Sequence, residues 1–333
     1  MIKFKSFKPS NPLFELNLSS DKVASRVGFG LGLLKAGQIN TKVVGLSADL
    51  TESTQMHLFR DAFPSRFIEV GVAEQNLVTV GSGMASMGKV PFVSSYAAFA
   101  PGRCWEQIRT TICLNDQPVK IVGSHAGLSV GPDGATHQIL EDIALMRSLP
   151  NMVVLSPGDA NEAEMAALAL AADPRPGYIR LSREATEGFT PKNKQFVIGD
   201  VLKLSEGSDI TIISTGVITV EAIEAVIRLR KDNIKADLLH APSLKPINKD
   251  TIIESAAKTG LVITVEEHQV SGGLGSLVGE ILSENLPTLV HRIGIEDKFG
   301  QSGTYEELKL SYGLNSTNIV IKAKQLLRGR SKA

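Results

Sequence analysis

The chain has few cysteines, no long apolar run and no excess of charge of either sign, and each scarcity excludes a class of protein. Its only cysteines are Cys104 and Cys113, too few for a disulfide-stapled scaffold. Lys plus Arg and Asp plus Glu both total 35, so no basic field attracts nucleic acid or an anionic membrane surface. No uninterrupted apolar run approaches the ~20 residues of a membrane span. We therefore expect a reducing, cytoplasmic, soluble protein with no nucleic-acid or membrane partner.

The beginning of the chain does not look like a secretory signal. Lysines and prolines interrupt residues 1–20, so no apolar stretch of signal-peptide length remains. We expect residues 1–19 to form an N-terminal arm. With 43% hydrophobic and 21% charged residues in a chain of 333, the composition is that of a globular protein long enough for two domains.

Short β-rich apolar runs alternate with longer helical patterns from about Asp21, which is typical of a parallel sheet with crossover helices. In the first half the expected strands are Lys42–Ser47, Val90–Ser95, Val119–Ser124, Met152–Ser156 and Tyr178–Leu181. The expected helices are Asp21–Lys35, Glu74–Met87, Arg103–Leu114 and Asn161–Ala171. Ser20 or Asp21 is expected to cap the first helix.

A polar stretch from Ser182 to Ile198, which contains Gly188 and Pro191, indicates a domain boundary near residue 190. A second alternating set follows it. Its expected strands are Ile210–Ser214, Lys235–His240, Leu261–Glu266 and Thr288–Ile293. Its expected helices are Thr219–Arg230, Asp250–Lys258, Gly275–Glu284 and Thr317–Leu327. The pattern predicts an α/β fold of two doubly wound domains, residues 20–190 and 191–333.

Two segments carry most of the chemical signal. Residues 68–77, Ile-Glu-Val-Gly-Val-Ala-Glu-Gln-Asn-Leu, place Glu74 between a small-residue turn and an apolar helix, where a carboxyl group can stay protonated and donate a hydrogen bond. Residues 131–137, Gly-Pro-Asp-Gly-Ala-Thr-His, place Asp133 and His137 in a Gly-rich loop. Taken alone, Glu74 is more simply a solvated carboxylate at a helix N-terminus. Together the segments resemble the pyrimidine-binding half of transketolases, enzymes that use thiamine diphosphate.

The resemblance extends from about Ser20 to Leu327 and is strongest between Arg26 and Arg183. It implies a pyrimidine-binding domain with a parallel sheet, followed by a smaller C-terminal domain with a mixed sheet. In that family a glutamate at the position of Glu74 hydrogen-bonds N1′ of the aminopyrimidine ring and promotes the imino tautomer, which takes a proton from the thiazolium ring. Glu74 and His137 are thus the expected catalytic residues.

Three further residues are expected near the cofactor rings. The run from Pro91 to Phe99 reads as a strand entering a loop, where the family stacks aromatic side chains on the pyrimidine, and Tyr96 and Phe99 match those positions. Spacing alone equally allows two core aromatics. Some members have another aromatic side chain three positions on, where this chain has Gly102. The resemblance also places Asp49, after an expected strand end, near the rings, although an Asp there is more often a turn residue.

The resemblance implies a phosphate site as well. Four residues match positions that transketolases use to bind the substrate phosphate: Arg26, Ser53, His125 and Arg183. Two guanidinium groups suit a phosphate dianion, and a hydroxyl and an imidazole complete its shell. Each residue alone is weak evidence, since either arginine could be a solvated surface charge.

Asp133 and His137 match family residues that bind sugar hydroxyls and the carbonyl oxygen. A carboxylate accepts hydrogen bonds and an imidazole can donate or accept them, so the pair can distinguish vicinal hydroxyls. A Gly-rich turn with an Asx motif explains Asp133 equally well but leaves His137 unexplained.

Two other motifs lie in the second half of the chain, and we expect both to have structural and not ligand-binding roles. The glycines of residues 272–279 are out of register for a dinucleotide fingerprint. Glu266, Glu267 and His268 could suggest a metal site, but adjacent strand side chains alternate in direction.

The chain lacks the Gly-Asp-Gly segment with which transketolases hold the Mg²⁺-bound diphosphate, and Asp200 is followed by Val201 in place of the second glycine. The resemblance therefore implies a split transketolase. A diphosphate-binding N-terminal transketolase subunit would supply the Mg²⁺ ligands in an α2β2 heterotetramer that acts on sugar phosphates. No metal ligand is expected from this chain itself.

Other functions stay open at this point. The β subunit of a thiamine-dependent 2-oxoacid dehydrogenase has similar length, but the phosphate residues and residues 133–137 argue against it. Deoxyxylulose-phosphate synthase is closer, yet it resembles a fused chain and usually has Arg at the position of His125. A regulatory module without turnover is the non-enzymatic alternative. Neither the preferred sugar nor the pathway, whether pentose phosphate or a specialised one, follows from the sequence.

Overall fold

Two layered sheets with flanking helices make up the fold of this chain, which we describe from a computed structural model. The structure describes residues 16–192 and 195–330. The expected N-terminal arm therefore lies, as far as residue 15, outside the described residues.

The strands fall into a seven-stranded sheet, a five-stranded sheet and a two-stranded pair. They are β1 (Lys22–Ala24), β2 (Val43–Ser47), β3 (Phe67–Glu69), β4 (Val90–Tyr96), β5 (Lys120–Ser124), β6 (Val153–Leu155), β7 (Gly177–Arg180), β8 (Ala185–Glu187), β9 (Leu202–Ser205), β10 (Ile210–Ser214), β11 (Ala236–His240), β12 (Ser243–Lys245), β13 (Val262–Gln269) and β14 (Val290–Ile295).

The α-helices cover both faces of the two larger sheets. They are α1 (Ser25–Ile39), α2 (His57–Ala62), α3 (Glu74–Ser86), α4 (Trp105–Gln107), α5 (Asp142–Arg147), α6 (Ala160–Ala172), α7 (Thr219–Lys231), α8 (Lys249–Thr259), α9 (Leu274–Asn285), α10 (Tyr305–Ser311) and α11 (Ser316–Arg330). Short 3-10 turns occur at Pro64–Arg66, Gly102–Cys104, Gly127–Asp133 and Gly216–Ile218, and a π-helical turn at Ile108–Cys113.

The larger sheet has the strand order β12-β6-β7-β5-β4-β2-β3, and all its neighbours pair in parallel except β12 with β6. Every residue of the central strands β2 and β5 is buried, as expected for a parallel sheet covered on both faces. The smaller sheet has the order β14-β13-β10-β11-β9, and only β9 runs antiparallel to its neighbour. The expected α/β fold, with a parallel sheet followed by a mixed sheet, is confirmed.

The expected domain boundary near residue 190 stays a prediction, because the chain crosses between the sheets. Strand β12 comes after β11 of the smaller sheet, yet it pairs with β6 of the larger one. Ser243 lies opposite Leu155, and Lys245 lies opposite Val154.

The first helix was expected too early in the chain. The structure starts α1 at Ser25, with Ala24 at the N-cap position and no side-chain cap, so the expected start at Asp21 and cap at Ser20 or Asp21 are wrong. Residues 22–24 instead pair as β1 with β8, a partner about 160 residues away. Long-range pairing overrides a local helix signal of this kind.

The stretch expected as one helix, Arg103–Leu114, is broken into three pieces. A 3-10 turn over Gly102–Cys104 leads into α4 and then into the π-helical turn. Cys104 and Cys113 in this stretch are buried free thiols, and burial raises the pKa of each to about 12.

Helices α1 and α6 approach each other closely because glycine lines their contact. A Cβ atom added at Gly28 would lie 1.8 Å from the carbonyl oxygen of Ala160, a backbone atom that cannot move aside. Helix α1 carries Arg26, so this contact also places a residue of the candidate site.

We expect Gly28→Ala to destabilise the chain by about 3 kcal/mol, because overpacking a tight contact costs roughly 1–3 kcal/mol or more. The matched control is Gly83→Ala in α3, where an added Cβ has nothing within 4 Å and helix propensity should improve. Chemical denaturation of both variants measures the difference. Equal stability of the two variants would contradict the packing argument.

Candidate functional site

The candidate residues gather at one edge of the larger sheet, where the carboxyl ends of β2, β4, β5 and β7 open into loops. Parallel strands bring these ends together, and ligands of α/β proteins bind in the crevice outside them. Asp49 and Ser53 follow β2, Phe99 follows β4, and His125 follows β5. Arg183 follows β7, and Arg26 lies at the start of α1 beside it.

Glu74 is the first residue of α3, and its side chain is only 2% exposed. Its Oε2 accepts a hydrogen bond of 2.7 Å from Nη1 of Arg103, whose side chain is 51% exposed. The interpretation of Glu74 as a solvated surface carboxylate is therefore wrong in this structure. A helix N-terminus favours an acidic side chain at this position.

Four rings stand together, and Arg103 links them to this carboxyl group because its Cζ lies 4.7 Å from the centroid of the Phe99 ring. The Tyr96 and Phe99 rings are nearly parallel, 18° apart with centroids separated by 6.1 Å. The His125 ring stacks on Tyr96 at 3.9 Å, and the His137 ring meets the Phe99 ring edge-on at 5.3 Å. Tyr96 and Phe99 are only partly buried, unlike the fully buried core rings of Phe29, Phe59 and Phe92.

Arg26 and Arg183 converge mainly on backbone carbonyl groups, and Glu184 Oε1 lies 3.9 Å from Arg183 Nε. Arg26 donates through Nη1 to the carbonyl of Ser53 at 2.6 Å and through Nε to the carbonyl of Arg183 at 3.2 Å. Arg183 donates through Nη1 to the carbonyl of Val130. Burial and the charge of Arg183 both lower the pKa of Arg26. Backbone carbonyls thus hold two like charges close together, which is an arrangement suited to an anion.

His125 lies beside these arginines and is almost fully buried. Its Nδ1 is 2.8 Å from Ser124 Oγ. Burial, together with the charges of Arg26 and Arg183, lowers the pKa of His125 to about 3, so its ring is neutral at neutral pH. Its φ of +57° is uncommon for a residue other than glycine, and such strained backbone clusters at functional sites.

Asp133 and His137 lie on the loop that follows β5. Asp133 ends the 3-10 turn and is exposed, whereas His137 is half-buried, with Nδ1 3.0 Å from Thr136 Oγ1. Positive φ values at Gly131 and Gly134 turn the chain between them, a conformation open mainly to glycine. The loop places His137 next to Phe99 and leaves Asp133 exposed four residues earlier.

Glu69 was missed by the sequence analysis, although it organises the loop that carries Asp49. Its Oε1 accepts from the Asp49 N–H at 2.7 Å and from the Gly71 N–H at 3.1 Å, and its Oε2 accepts from Thr51 Oγ1 at 2.8 Å. Asp49 itself is exposed and has a φ of +59°. The acid two residues before Gly71 was visible in the sequence, but nothing local indicated its partners.

Glu267 was also missed as a site residue, and it joins the second half of the chain to the site. Its Oε1 accepts from the N–H groups of Leu128 and Ser129 at 2.6 and 3.1 Å, and Oε2 accepts from Tyr305 OH at 3.0 Å. Ser129 Oγ in turn accepts from the Arg183 N–H at 3.1 Å. Burial raises the pKa of Glu267. This buried carboxyl group, hereafter the Glu267 clasp, fixes the turn that contacts Arg183.

The neighbours of Glu267 have structural roles, as expected. Glu266 accepts from the N–H groups of Leu274 and Gly275 at the start of α9, and burial raises its pKa to about 7. His268 Nε2 accepts from the Ala144 N–H at 3.3 Å, and burial lowers its pKa to about 4.

The structure brings together Glu74, Tyr96, Phe99, His125, His137, Arg26 and Arg183, with Ser53, Asp133 and Asp49 on the adjoining loops. Gly102 provides no third aromatic side chain at its position. The next residue, Arg103, bonds to Glu74. Arg103 was not predicted, because an arginine in a helical pattern has no distinctive local signal.

Among residues 16–192 and 195–330 there is no group of three or more His, Cys, Asp or Glu side chains placed to hold a metal ion. In the same ranges, no helix has the length and apolar character needed to cross a bilayer.

The depressed pKa of His125 predicts a pH dependence of stability. Between about pH 6 and pH 4 the unfolded chain binds a proton at His125 and the folded chain does not, so stability is lost as pH falls. We expect the free energy of unfolding of the wild type to fall, relative to His125→Gln, by up to about 1.4 kcal/mol per pH unit. Urea denaturation at several pH values measures both proteins. Parallel stability profiles would contradict the burial of a neutral His125.

Comparison with known proteins agrees with this geometry. Residues 21–188 match the family "Transketolase, pyrimidine binding domain" and residues 199–319 match "Transketolase, C-terminal domain". The "Putative transketolase C-terminal section" of Methanocaldococcus jannaschii is 40% identical over 95% of this chain and 99% of its own length. A 6-deoxy-6-sulfo-D-fructose transketolase subunit of Clostridium sp. (strain MSTE9) is 37% identical over 88% of this chain and 91% of its own.

One solved structure, "Split gene transketolase, inactive beta4 tetramer", is 42% identical and superposes with a TM-score of 0.86, covering 92% of this chain and 99% of that one. Both family matches and these relatives agree on one assignment, which implies thiamine diphosphate as the cofactor. The chain belongs to the transketolase family and carries its pyrimidine-binding domain followed by its C-terminal domain.

Proposed function

We propose that this chain is the C-terminal subunit of a split transketolase. It would transfer a two-carbon ketol unit from a ketose phosphate to an aldose phosphate, together with a partner subunit that binds the Mg²⁺-diphosphate end of the cofactor. The observation that carries the proposal is one connected set of side chains. Arg103 joins the buried carboxyl group of Glu74 to the Phe99 ring, Tyr96 lies beside Phe99, and His125 stacks on Tyr96 next to the two arginines.

The side chains on the ring side fit an aminopyrimidine. Such a ring has a nitrogen that needs a hydrogen-bonding carboxyl group and flat faces that need apolar cover. Glu74 supplies the first, and Tyr96 and Phe99 supply the second. When bound, thiamine diphosphate supplies a nucleophilic carbon and an electron sink for breaking a bond next to a carbonyl. The role of Glu74 is to hold the ring nitrogen in the required protonation state.

The phosphate end of the substrate would bind at Arg26 and Arg183. Since His125 is neutral, one ring nitrogen carries the proton. If Ser124 Oγ donates to Nδ1, then Nε2 carries that proton and can donate to a phosphate oxygen. Ser53 would add its hydroxyl. Asp133 and His137 at the rim would bind sugar hydroxyls, and His137 would also hold the substrate carbonyl oxygen.

The need for a partner is supported by the sequence and by one relative. The chain lacks the Gly-Asp-Gly segment that the family uses for the diphosphate. The 42% identical split-gene transketolase is described as an inactive β4 tetramer, which is consistent with a subunit of this type needing a second chain. We propose an α2β2 assembly in the cytoplasm.

The sugar is a separate question. One relative is named for a sulfonated fructose, so a specialised sugar pathway is as compatible with this site as the pentose phosphate pathway. Two arginines bind a phosphate or a sulfonate by the same charge-assisted contacts. Deoxyxylulose-phosphate synthesis, in which pyruvate is decarboxylated, is the alternative activity, and 2-oxoacid oxidation would need no phosphate site. An assay with ketose phosphates and with pyruvate separates these activities.

We expect the purified chain to show no ketol transfer with thiamine diphosphate and Mg²⁺, and to gain it when the co-purifying partner subunit is added. In that complex Glu74→Ala should lower kcat by about 100- to 10,000-fold, the usual contribution of a positioned proton-transfer group. Circular dichroism checks that the variant is folded.

Glu106→Ala, an exposed acid two residues past Cys104, serves as the control and should keep full activity. Full ketol transfer by the chain alone would refute the split enzyme. Unchanged kcat in Glu74→Ala would refute the catalytic role of Glu74.

We expect Arg183→Ala to lower kcat/KM for a phosphorylated acceptor by about tenfold or more, mainly through KM, because a charge-assisted hydrogen bond contributes roughly 1.5–3 kcal/mol. Glycolaldehyde has no phosphate, so its kinetics should change little. Steady-state kinetics with both acceptors, and with Arg228→Ala as the control for loss of a surface charge, measures the effect. Equal losses for both acceptors would defeat the phosphate assignment.

A further inference from the structure

Arg103 is the one charged side chain among the described residues that bonds to Glu74 in this structure. The pair is unequal, because the carboxyl group is 2% exposed and the arginine side chain is 51% exposed. The guanidinium group thus reaches the carboxyl group from the solvent side.

The same guanidinium group also covers an aromatic face. The Cζ atom of Arg103 lies 4.7 Å from the centroid of the Phe99 ring. A flat cation over an aromatic ring makes a favourable cation–π contact. Arg103 therefore places a planar, nitrogen-rich group on the Phe99 ring and bonds it to Glu74 at the same time.

A flat heterocycle that bonds to Glu74 and stacks on Phe99 needs these same two surfaces. We propose that Arg103 is a built-in occupant of the pyrimidine subsite, and that the cofactor ring must displace it from both Glu74 and Phe99 in order to bind. This inference rests on the proposed function. It adds a positioning residue that competes with the cofactor and so sets its affinity.

The local structure allows Arg103 to leave. It lies in the 3-10 turn Gly102–Cys104, which is followed by a three-residue α-helix and a π-helical turn, so no continuous helix fixes it. Half of its side chain already faces solvent. The Arg103 end of this ion pair is half-exposed, so water can replace its contacts, and displacing it costs the cofactor a small part of its binding energy. Glu74 meanwhile stays paired until the ring arrives, which avoids an unpartnered buried carboxyl group.

In the alternative arrangement, Arg103 stays bonded to Oε2 of Glu74 and the cofactor ring bonds to the other carboxyl oxygen. The two arrangements predict opposite effects of removing the guanidinium group. A displaced Arg103 opposes binding, so its loss tightens binding. A retained Arg103 holds Glu74 in place, so its loss weakens binding.

The experiment uses the complex of this chain with its partner subunit, freed of cofactor, and titrates thiamine diphosphate with Mg²⁺ by calorimetry. The test variant is Arg103→Met, which keeps an unbranched apolar side chain. The matched control is Arg109→Met, an exposed arginine six positions along the same stretch. Thermal unfolding of each complex, with and without cofactor, gives a second readout that does not depend on turnover.

We expect Arg103→Met to lower the Kd for thiamine diphosphate by about two- to fivefold, the range of a half-exposed ion pair. Arg109→Met should leave the Kd unchanged. Without cofactor, Arg103→Met should melt at a lower temperature than Arg109→Met, because Glu74 loses its partner. Saturating cofactor should remove most of that difference.

An equal or higher Kd in Arg103→Met would overturn the proposal. If Arg103→Met fails to fold, Arg103→Lys replaces it, since lysine keeps the charge but lacks the planar fork, and unchanged binding in that variant would likewise overturn the proposal. Absence of cofactor binding in the wild-type complex would reject the proposed function itself and this inference with it. Wild-type binding with no gain in the variant rejects this inference alone.

Discussion

The arrangement of Arg26 and Arg183 depends on a single buried carboxyl group contributed by the second half of the chain. The Glu267 clasp accepts two backbone N–H bonds from Leu128 and Ser129 and one hydroxyl bond from Tyr305. The turn that it fixes supplies the two groups that contact Arg183, the hydroxyl of Ser129 and the carbonyl of Val130. Arg26 is bonded in turn to the carbonyl of Arg183. Backbone groups therefore hold Arg26 and Arg183 close together. Glu267, on a strand of the smaller sheet, fixes the turn that supplies some of these groups.

The sequence predicted most of the larger sheet, because buried parallel strands are continuous apolar runs such as β2 and β5. It missed β1, β3, β8, β9 and β12, which have only three or four residues each and so give little local pattern. The same limit applied to the site. Glu74, His137 and the phosphate residues stand in short motifs whose residue types point to a chemistry. The contacts of Glu267 with Leu128 and of Arg103 with Glu74 span 139 and 29 positions, and no local pattern encodes them.

The two sides of the site differ in how tightly they are held. Near Arg26 and Arg183, the His125 ring stacks on Tyr96 and is buried beside Ser124. Because this ring is neutral, it adds no third positive charge next to the two arginines. Around Glu74 the contacts are fewer, and the main partner is a half-exposed arginine. Rigid positioning thus accompanies the groups that would bind the substrate anion. The half-exposed contact at Glu74 is consistent with the proposed exchange of Arg103 for the cofactor ring.

The crossing of β12 into the larger sheet affects how this chain can be made. Strand β12 is the outer neighbour of β6 and the last strand on that side of the sheet, so the outer edge of β6 stays unpaired until residue 245 is available. During synthesis from the N-terminus, the first half must leave the ribosome with that edge uncovered, and an uncovered strand edge is a template for aggregation. A gene fragment that ends at the polar stretch near residue 190 would leave that edge permanently bare. The two halves are therefore coupled in biogenesis as well as in the finished site.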